Sequence, residues 1–330
     1  MAGGGTLVIQ TAFLGDVVLT TGLLSALAAR HGPVDVLVTP AALPLLTTHP
    51  AVRKVLSDDK HGRDRGPAAW WRLVRTLREP GYARVYLPHR SLRSAALAKA
   101  AGIPARIGFA DGSGAFLYTE RIARPAGGHE AERLLALAGS GAGPVAAIHL
   151  ALTEDDRAEA YAWLASRGIG DGFVAVAPGS IWGTKRWPWF GELVRLLRGR
   201  IVVIGGPADR EVAQAMLDAA PDRVANAAGA VPLRVSAAIL ERAGVLVTND
   251  SAPLHLASAT GTPTVAIFGP TVPKFGFGPR APRSAIIERT DLACRPCSAH
   301  GPAKCPLGHH RCMREIPAST VRDTIQQLIG

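Results

Sequence analysis

Short aliphatic runs, each closed by a glycine- or proline-bearing loop and followed by a stretch of helical periodicity, recur along the whole chain. No other feature constrains the fold as strongly. LVIQT at 7–11, the loop AFLGD and a helix over 17–30 closed by Gly32 make one βα unit. VDVLVTP at 34–40 repeats the strand, and 41–49 predicts a short helix ended before Pro50. A basic helix at 68–78, the strand ARVYLP, the stretch RSAALAKAAG and the strand ARIGF continue the alternation to about residue 150. TEDD at 153–156 is a capping-box pattern that starts a helix running to 167.

The second half restarts the same grammar with FVAVAPG, a helix at 189–197, IVVIGGP, a helix at 208–219, GVLVTND, a helix at 253–260 and TVAIFG. The expectation is two doubly wound, Rossmann-like α/β domains, 1–152 and 153–330. Ligands of open α/β sheets sit beyond the carboxyl ends of the strands, so two such domains facing one another would present their loops across one cleft. The last helix, 319–329, can cross back to the first domain. The composition agrees: among 330 residues, 48% are apolar but only 5% aromatic, which suits many small α/β units better than a barrel or sandwich.

Thirty-seven Lys and Arg against 26 Asp and Glu leave a net charge of +11, which calls for an anionic partner: nucleic acid, a membrane surface or a phosphorylated substrate. The charge is uneven. The basic segment from Arg53 to Arg106 holds 13 Lys and Arg against four Asp and Glu. It reads either as a solvated surface or as a docking face for an anionic acceptor and membrane. No helix-turn-helix, RRM or zinc-finger spacing supports nucleic-acid binding. The apolar stretch 7–29 reads as neither signal peptide nor membrane span, because MAGGGT carries no positive charge and Asp16 would sit inside the span. A cytoplasmic chain with reduced thiols is the expectation.

Four loops can carry chemistry. Gly15 and Asp16 open a helix after the first strand, where the carboxylate either complements the helix dipole as a cap or accepts a proton from a hydroxyl nucleophile. PGSIWGTKRWP carries Ser180, Thr184 and Lys185 after a second-domain strand; it departs from the Walker pattern, since Thr184 separates Gly183 from the lysine. Lys185 there either meets a diphosphate or lies in solvent. Asn249, Asp250, Ser251 and Ala252 sit between a strand and a helix start, a phosphate-binding arrangement, with His255 one turn on as a ligand contact or a structural imidazole. Asp209 in IGGPADRE holds a sugar hydroxyl or caps its own helix. No G-x-G-x-x-G follows the first strand and no DxD occurs, which disfavours a dehydrogenase and a metal-nucleotide site. Cys294, Cys297, Cys305 and Cys312 fall within 19 residues, spaced either for structural zinc or as packing thiols.

Taken together, LGD after the first strand, PGSIWGTKRWP, TNDSAPLHLA with the following GTPTVAIFGP, and CPLGHHRCM resemble the ADP-heptose:lipopolysaccharide heptosyltransferases (glycosyltransferase family 9) over most of the chain. CPLGHHRCM narrows the resemblance toward the heptosyltransferase II members. It implies a GT-B fold and inverting transfer of L-glycero-D-manno-heptose from ADP-heptose to the heptosylated Kdo-lipid A inner core, at the inner face of the inner membrane, with no cofactor needed for catalysis. Carried onto this sequence, it makes Asp16 the base and Lys185 the diphosphate contact, with Ser180 nearby. Asp250, Ser251, Ala252 and His255 fall on the donor-holding helix start, and Asp209 approximates an acidic donor contact. A related glycosyltransferase with another sugar or acceptor is the alternative.

Overall fold

The computed structural model describes residues 4–60, 62–139 and 147–330; part of the MAGGGT stretch and position 61 of the basic segment lie outside the described residues. The chain forms two compact units, Met1–Ala151 and Leu152–Gly330. The division read from the sequence lies one residue further on.

In the first unit β1 (Thr6–Gln10) leads into α1 (Leu14–His31), followed by β2 (Val34–Val38), β3 (Val52–Ser57), α2 (Pro67–Arg78), β4 (Arg84–Leu87), α3 (Leu92–Ala100), β5 (Ala105–Phe109), β6 (Glu120–Ile122) and α4 (Glu130–Leu135). The strands lie in the order β3-β2-β1-β4-β5-β6, every pair parallel. The apolar stretch 7–29 is thus a fully buried strand and a helix that packs Val17, Val18, Leu19, Leu23, Leu24 and Leu27 inside. Among the described residues no helix is long and apolar enough to cross a membrane. α1 stops where Gly32, at φ +77, donates its N–H to the Ala28 carbonyl.

The helix expected over 41–49 is a correction: only a 3-10 turn, Leu43–Leu45, forms there. Pro44 has no N–H to give a longer helix, and it disfavours the α conformation in the residue before it. The expected capping box is present. Thr153 caps α5 (Glu154–Ala165), accepting from the Asp156 N–H at 3.2 Å, while the Asp156 carboxylate accepts from the Thr153 N–H at 2.7 Å.

The second unit continues with β7 (Val174–Ala177), α6 (Phe190–Leu196), β8 (Ile201–Val203), α7 (Arg210–Ala219), β9 (Val224–Asn226), α8 (Leu233–Glu241), β10 (Val245–Asn249), α9 (Ala252–Thr260), β11 (Thr264–Phe268), β12 (Ser284–Glu288), α10 (Arg311–Arg314) and α11 (Ala318–Ile329). Its parallel sheet runs β12-β11-β10-β7-β8-β9. Counted from its own first strand, this repeats the order of the first unit. In each sheet the direction of winding reverses between the first and fourth strands, the position where open α/β sheets bind ligands. Those pairs are β1/β4 and β7/β10. The last helix, which the sequence leaves able to cross back to the first unit, buries Val321 and Ile325 in the core of the second, with Trp187, Phe190 and Met313.

Candidate functional site

At the switch point of the second sheet, the loops after β7 and β10 are tied together by Asn249. Its Oδ1 accepts from the Trp187 N–H at 3.1 Å and its Nδ2 donates to the Pro178 carbonyl at 2.8 Å. Asn249, the first of the expected donor-side residues, is fully buried with both amide atoms engaged, so it staples the two loops together. The loop between these anchors makes a 3-10 turn, Gly183–Lys185, that buries the lysine instead of leaving it in solvent.

Lys185 Nζ donates to Asp250 Oδ2 at 2.6 Å, with the two side chains 11% and 8% exposed. Thr271 Oγ1 donates to the same oxygen at 2.7 Å. An ammonium has three donors in all, and Asp250 takes one while fixing where the others point. A buried ion pair of this kind holds position at a large desolvation cost, so removal of either partner strands a charge. Thr184 gives both its N–H and its hydroxyl to the Pro302 carbonyl. The hydroxyl expected on the donor side thus gives its proton to the protein's own backbone.

Ser251 begins α9 with no side-chain cap, and Pro253 in the first turn has no N–H of its own. Ser251 and Ala252 keep partial exposure there, as Ser180 and Asp209 do on the neighbouring loops. His255 is buried one turn on, edge-to-face with Phe277 at 6.3 Å between ring centroids. Asp209 Oδ2 accepts from the Gly206 N–H at 2.9 Å and so caps the turn that opens its own helix. A Cβ at Gly179 would come within 2.2 Å of the Asp209 carboxylate and one at Gly205 within 2.7 Å, so both loops require glycine to close around it.

The cysteine-rich segment lies directly on this loop. Arg295 donates to the Thr271 carbonyl at 2.8 Å and to Glu288 Oε2 at 2.8 Å, and Cys297 donates its N–H to the Pro270 carbonyl at 2.8 Å. All four cysteines are free thiols. Burial, with smaller contributions from neighbouring cysteines, pushes the Cys312 thiol up to about 11, so it is protonated and unreactive at neutral pH. Among the described residues no group of three or more His, Cys, Asp or Glu side chains is arranged to hold a metal ion.

In the first unit, Phe13 and not Asp16 occupies the N-cap of α1, and Gly15 and Asp16 fall in its first turn. Asp16 is partly exposed at the carboxyl end of β1, where the helix dipole favours a carboxylate. Behind it, Gln10 Nε2 donates to Thr20 Oγ1 at 2.9 Å, and Thr20 donates to the Asp16 carbonyl at 2.7 Å. The same sheet edge carries cations that the sequence marked only as part of a basic segment. Lys60 Nζ donates to the Thr11 carbonyl at 2.7 Å, and Arg93 grips Asp58 with two nitrogens at 2.9–3.2 Å while lying over the Trp70 ring. Burial, then Lys60 and Arg90, lowers His89 to about 4, leaving a neutral imidazole there.

The family model for glycosyltransferase family 9 (heptosyltransferase) matches residues 70–305. The chain belongs to that family. It is similar to lipooligosaccharide heptosyltransferase 2 of Haemophilus influenzae, 25% identical over 98% of this chain and 99% of that protein. It also resembles lipooligosaccharide heptosyltransferase 2 of Campylobacter jejuni, 29% identical over 48% of this chain. That alignment spans about half, 52%, of the Campylobacter protein. Among solved structures, E. coli ADP-heptose LPS heptosyltransferase II shares the fold over 98% of both chains, with a TM-score of 0.80 at 24% identity. This likeness runs through both units and gives the chain the GT-B-like architecture expected from its motifs.

Sequence reasoning missed Thr271, Pro302, His310 and Arg295, which hold Lys185 and Asp250 in place, and it missed Lys60 and His89 on the first sheet. A signal existed for one of them. His310 stands inside CPLGHHRCM, but nothing in that motif says which loop it touches.

Proposed function

We propose that the chain transfers L-glycero-D-manno-heptose from ADP-heptose to the heptosylated Kdo-lipid A inner core of lipopolysaccharide, inverting the anomeric carbon. In this reading the second unit holds the donor and the first the acceptor. The observation that carries it is the buried Lys185–Asp250 pair beside the uncapped start of α9, at the switch point of the second sheet. As the anomeric C–O bond breaks, ADP leaves with the electron pair, and an ammonium with a helix N-terminus is suited to stabilise that charge. Ser180, Ser251, Ala252 and Asp209 keep surface to meet the donor, while Asn249, Thr184 and His255 act from behind by shaping the loops. Asp16 takes the proton of the acceptor hydroxyl as its oxygen bonds to the anomeric carbon.

Because Lys185 and the helix start supply positive charge, and no DxD sequence is present, transfer needs no divalent cation in this proposal. The exposed face of α2, with Trp71, Arg72 and Arg75 beside the remaining cations of the basic segment, suits peripheral contact with the anionic inner leaflet. The deciding experiment measures ADP release from ADP-heptose with heptosylated and unheptosylated Kdo-lipid A, each with and without EDTA. Turnover that requires the heptosylated acceptor and survives chelation supports the reading. Turnover only with another sugar nucleotide, or only with added Mg²⁺, refutes the corresponding part.

A further inference from the structure

His310 is the one residue other than glycine with positive φ among the described residues, at +48°. The left-handed region is costly for a side chain bearing a Cβ, and it persists only where surrounding contacts enforce it. Here the contact is with the donor loop. His310 Nε2 lies 2.8 Å from the Thr184 carbonyl oxygen, and since a carbonyl only accepts, the nitrogen donates.

That carbonyl needs an outside partner. The Arg186 N–H closes the 3-10 turn onto the Gly183 carbonyl, but the next N–H, that of Trp187, goes to Asn249 Oδ1 and cannot return to Thr184. The opposite side of the loop has no room to adjust. A Cβ on Gly183 would stand 2.5 Å from the Ala303 carbonyl oxygen, and one on Gly301 would stand 3.3 Å from Thr184 Oγ1 and 3.4 Å from Lys185 Cγ. The peptide joining Thr184 to Lys185 is therefore held at both ends, its carbonyl by the His310 imidazole and its Lys185 N–H by the Trp182 carbonyl at 3.0 Å, with Gly301 close beside both side chains. Its plane fixes the direction in which the lysine leaves the backbone.

We propose that His310 is a positioning residue for transfer: through the Thr184 carbonyl it aims Lys185 at the donor diphosphate. The role rests on the reading of Lys185 given above. Cys294–Cys312 is then the strap that carries this residue to the loop, and its strained backbone at position 310 is the cost of the imidazole's reach.

The test uses the full chain and four variants. His310→Gly keeps the left-handed backbone without strain and removes only the imidazole, so its melting temperature is expected to equal or exceed that of the parent. Its affinity for ADP by calorimetry, and its KM for the donor, are expected to worsen about 2- to 12-fold, the loss of one hydrogen bond, with the acceptor KM unchanged. His310→Gln, whose amide can donate to the same carbonyl, restores most of that loss. In a Lys185→Ala background, His310→Gly costs nothing further. Normal ADP binding by His310→Gly while Lys185→Ala is impaired overturns the proposal and leaves the Lys185 reading standing. An equal loss with and without Lys185 also overturns it, because the effect then bypasses the lysine. If Lys185→Ala itself binds ADP normally, the diphosphate reading fails and takes this proposal with it. Should the Gly variant melt early, a folded Gln variant with poor ADP affinity counts against the proposal and one with parental affinity supports it.

Discussion

Lys185 pairs with buried Asp250 and, in the proposed reading, also meets the donor diphosphate; its substitution separates the two. Truncation to alanine leaves the Asp250 carboxylate buried with Thr271 as its remaining hydrogen-bond donor from this cluster, a stranded charge that costs about 3–5 kcal/mol of stability. A thermal melt of Lys185→Ala against Lys185→Ala/Asp250→Asn is expected to show most of that loss recovered in the double variant. In catalysis, loss of a charged hydrogen bond worth about 1.5–3 kcal/mol lowers kcat/KM for the donor roughly 10- to 150-fold. Arg186 stands next to it but donates its Nε to the Ser180 carbonyl at 2.8 Å, which limits its ability to substitute. Asp16 is the simpler case. In Asp16→Asn the carboxylate's favourable interaction with the helix dipole, about 0.3–1 kcal/mol, is lost while the amide keeps the side chain's shape, so the fold and ADP binding are expected to persist while turnover falls about 100-fold or more. Near-parental turnover in that folded variant would assign the base elsewhere.

At the scale of elements, the start of α5 is the clearest case of a local pattern read correctly and then loaded with tertiary work. Asp156 completes the capping box with Thr153 and also pairs with the buried Arg234 guanidinium. Burial by itself would raise this carboxyl, but the Arg234 and Thr153 hydrogen bonds outweigh it and hold it at about 2, against 3.8 when unpaired. Because the folded value lies below the unfolded one, the stabilisation is fully present above about pH 4 and is lost as the pH falls toward 2. Denaturant titrations are expected to show the parent losing about 2 kcal/mol more than Asp156→Asn over that interval. Equal slopes for the two proteins would mean that the pair forms without stabilising the fold. The loop at 41–49 teaches the opposite lesson, since its apolar residues suit a helix but it forms only one 3-10 turn, with Pro44 in it.

For the molecule as a whole, the net charge of +11 gains meaning from where it is displayed. α2 contains no acidic residue, carries Trp71 at 54% exposure, and turns Arg72 and Arg75 outward. Sedimentation with phosphatidylglycerol-containing vesicles is expected, with none on neutral phosphatidylcholine and release in high salt. Replacing Arg72 and Arg75 by alanine should weaken it about 30-fold, at roughly 1 kcal/mol per cation. Unaltered binding by that variant would place the membrane contact on another surface. The chain's own alternation of apolar run, loop and helix was enough to specify two doubly wound sheets and all eight of their interior strands. Such strands are covered on both faces, so their burial is written as largely aliphatic sequence, with exceptions such as Asp35, whose carboxylate accepts from Arg53 and Tyr82. The four strands that escaped it, β3, β6, β9 and β12, are the sheet edges, where partial exposure admits charged or polar residues and erases the signal. The site divides in the same way. Asp16, Lys185 and Asp250 stand out as candidates in the sequence because each follows a strand at a loop that any such sheet must present to a ligand. Tertiary structure alone decided that Lys185 meets Asp250 across 65 residues and that His310 reaches Thr184 across 126. Those distances along the chain are closed by the packing of whole elements, and no local pattern of residue types records which loop will arrive beside which.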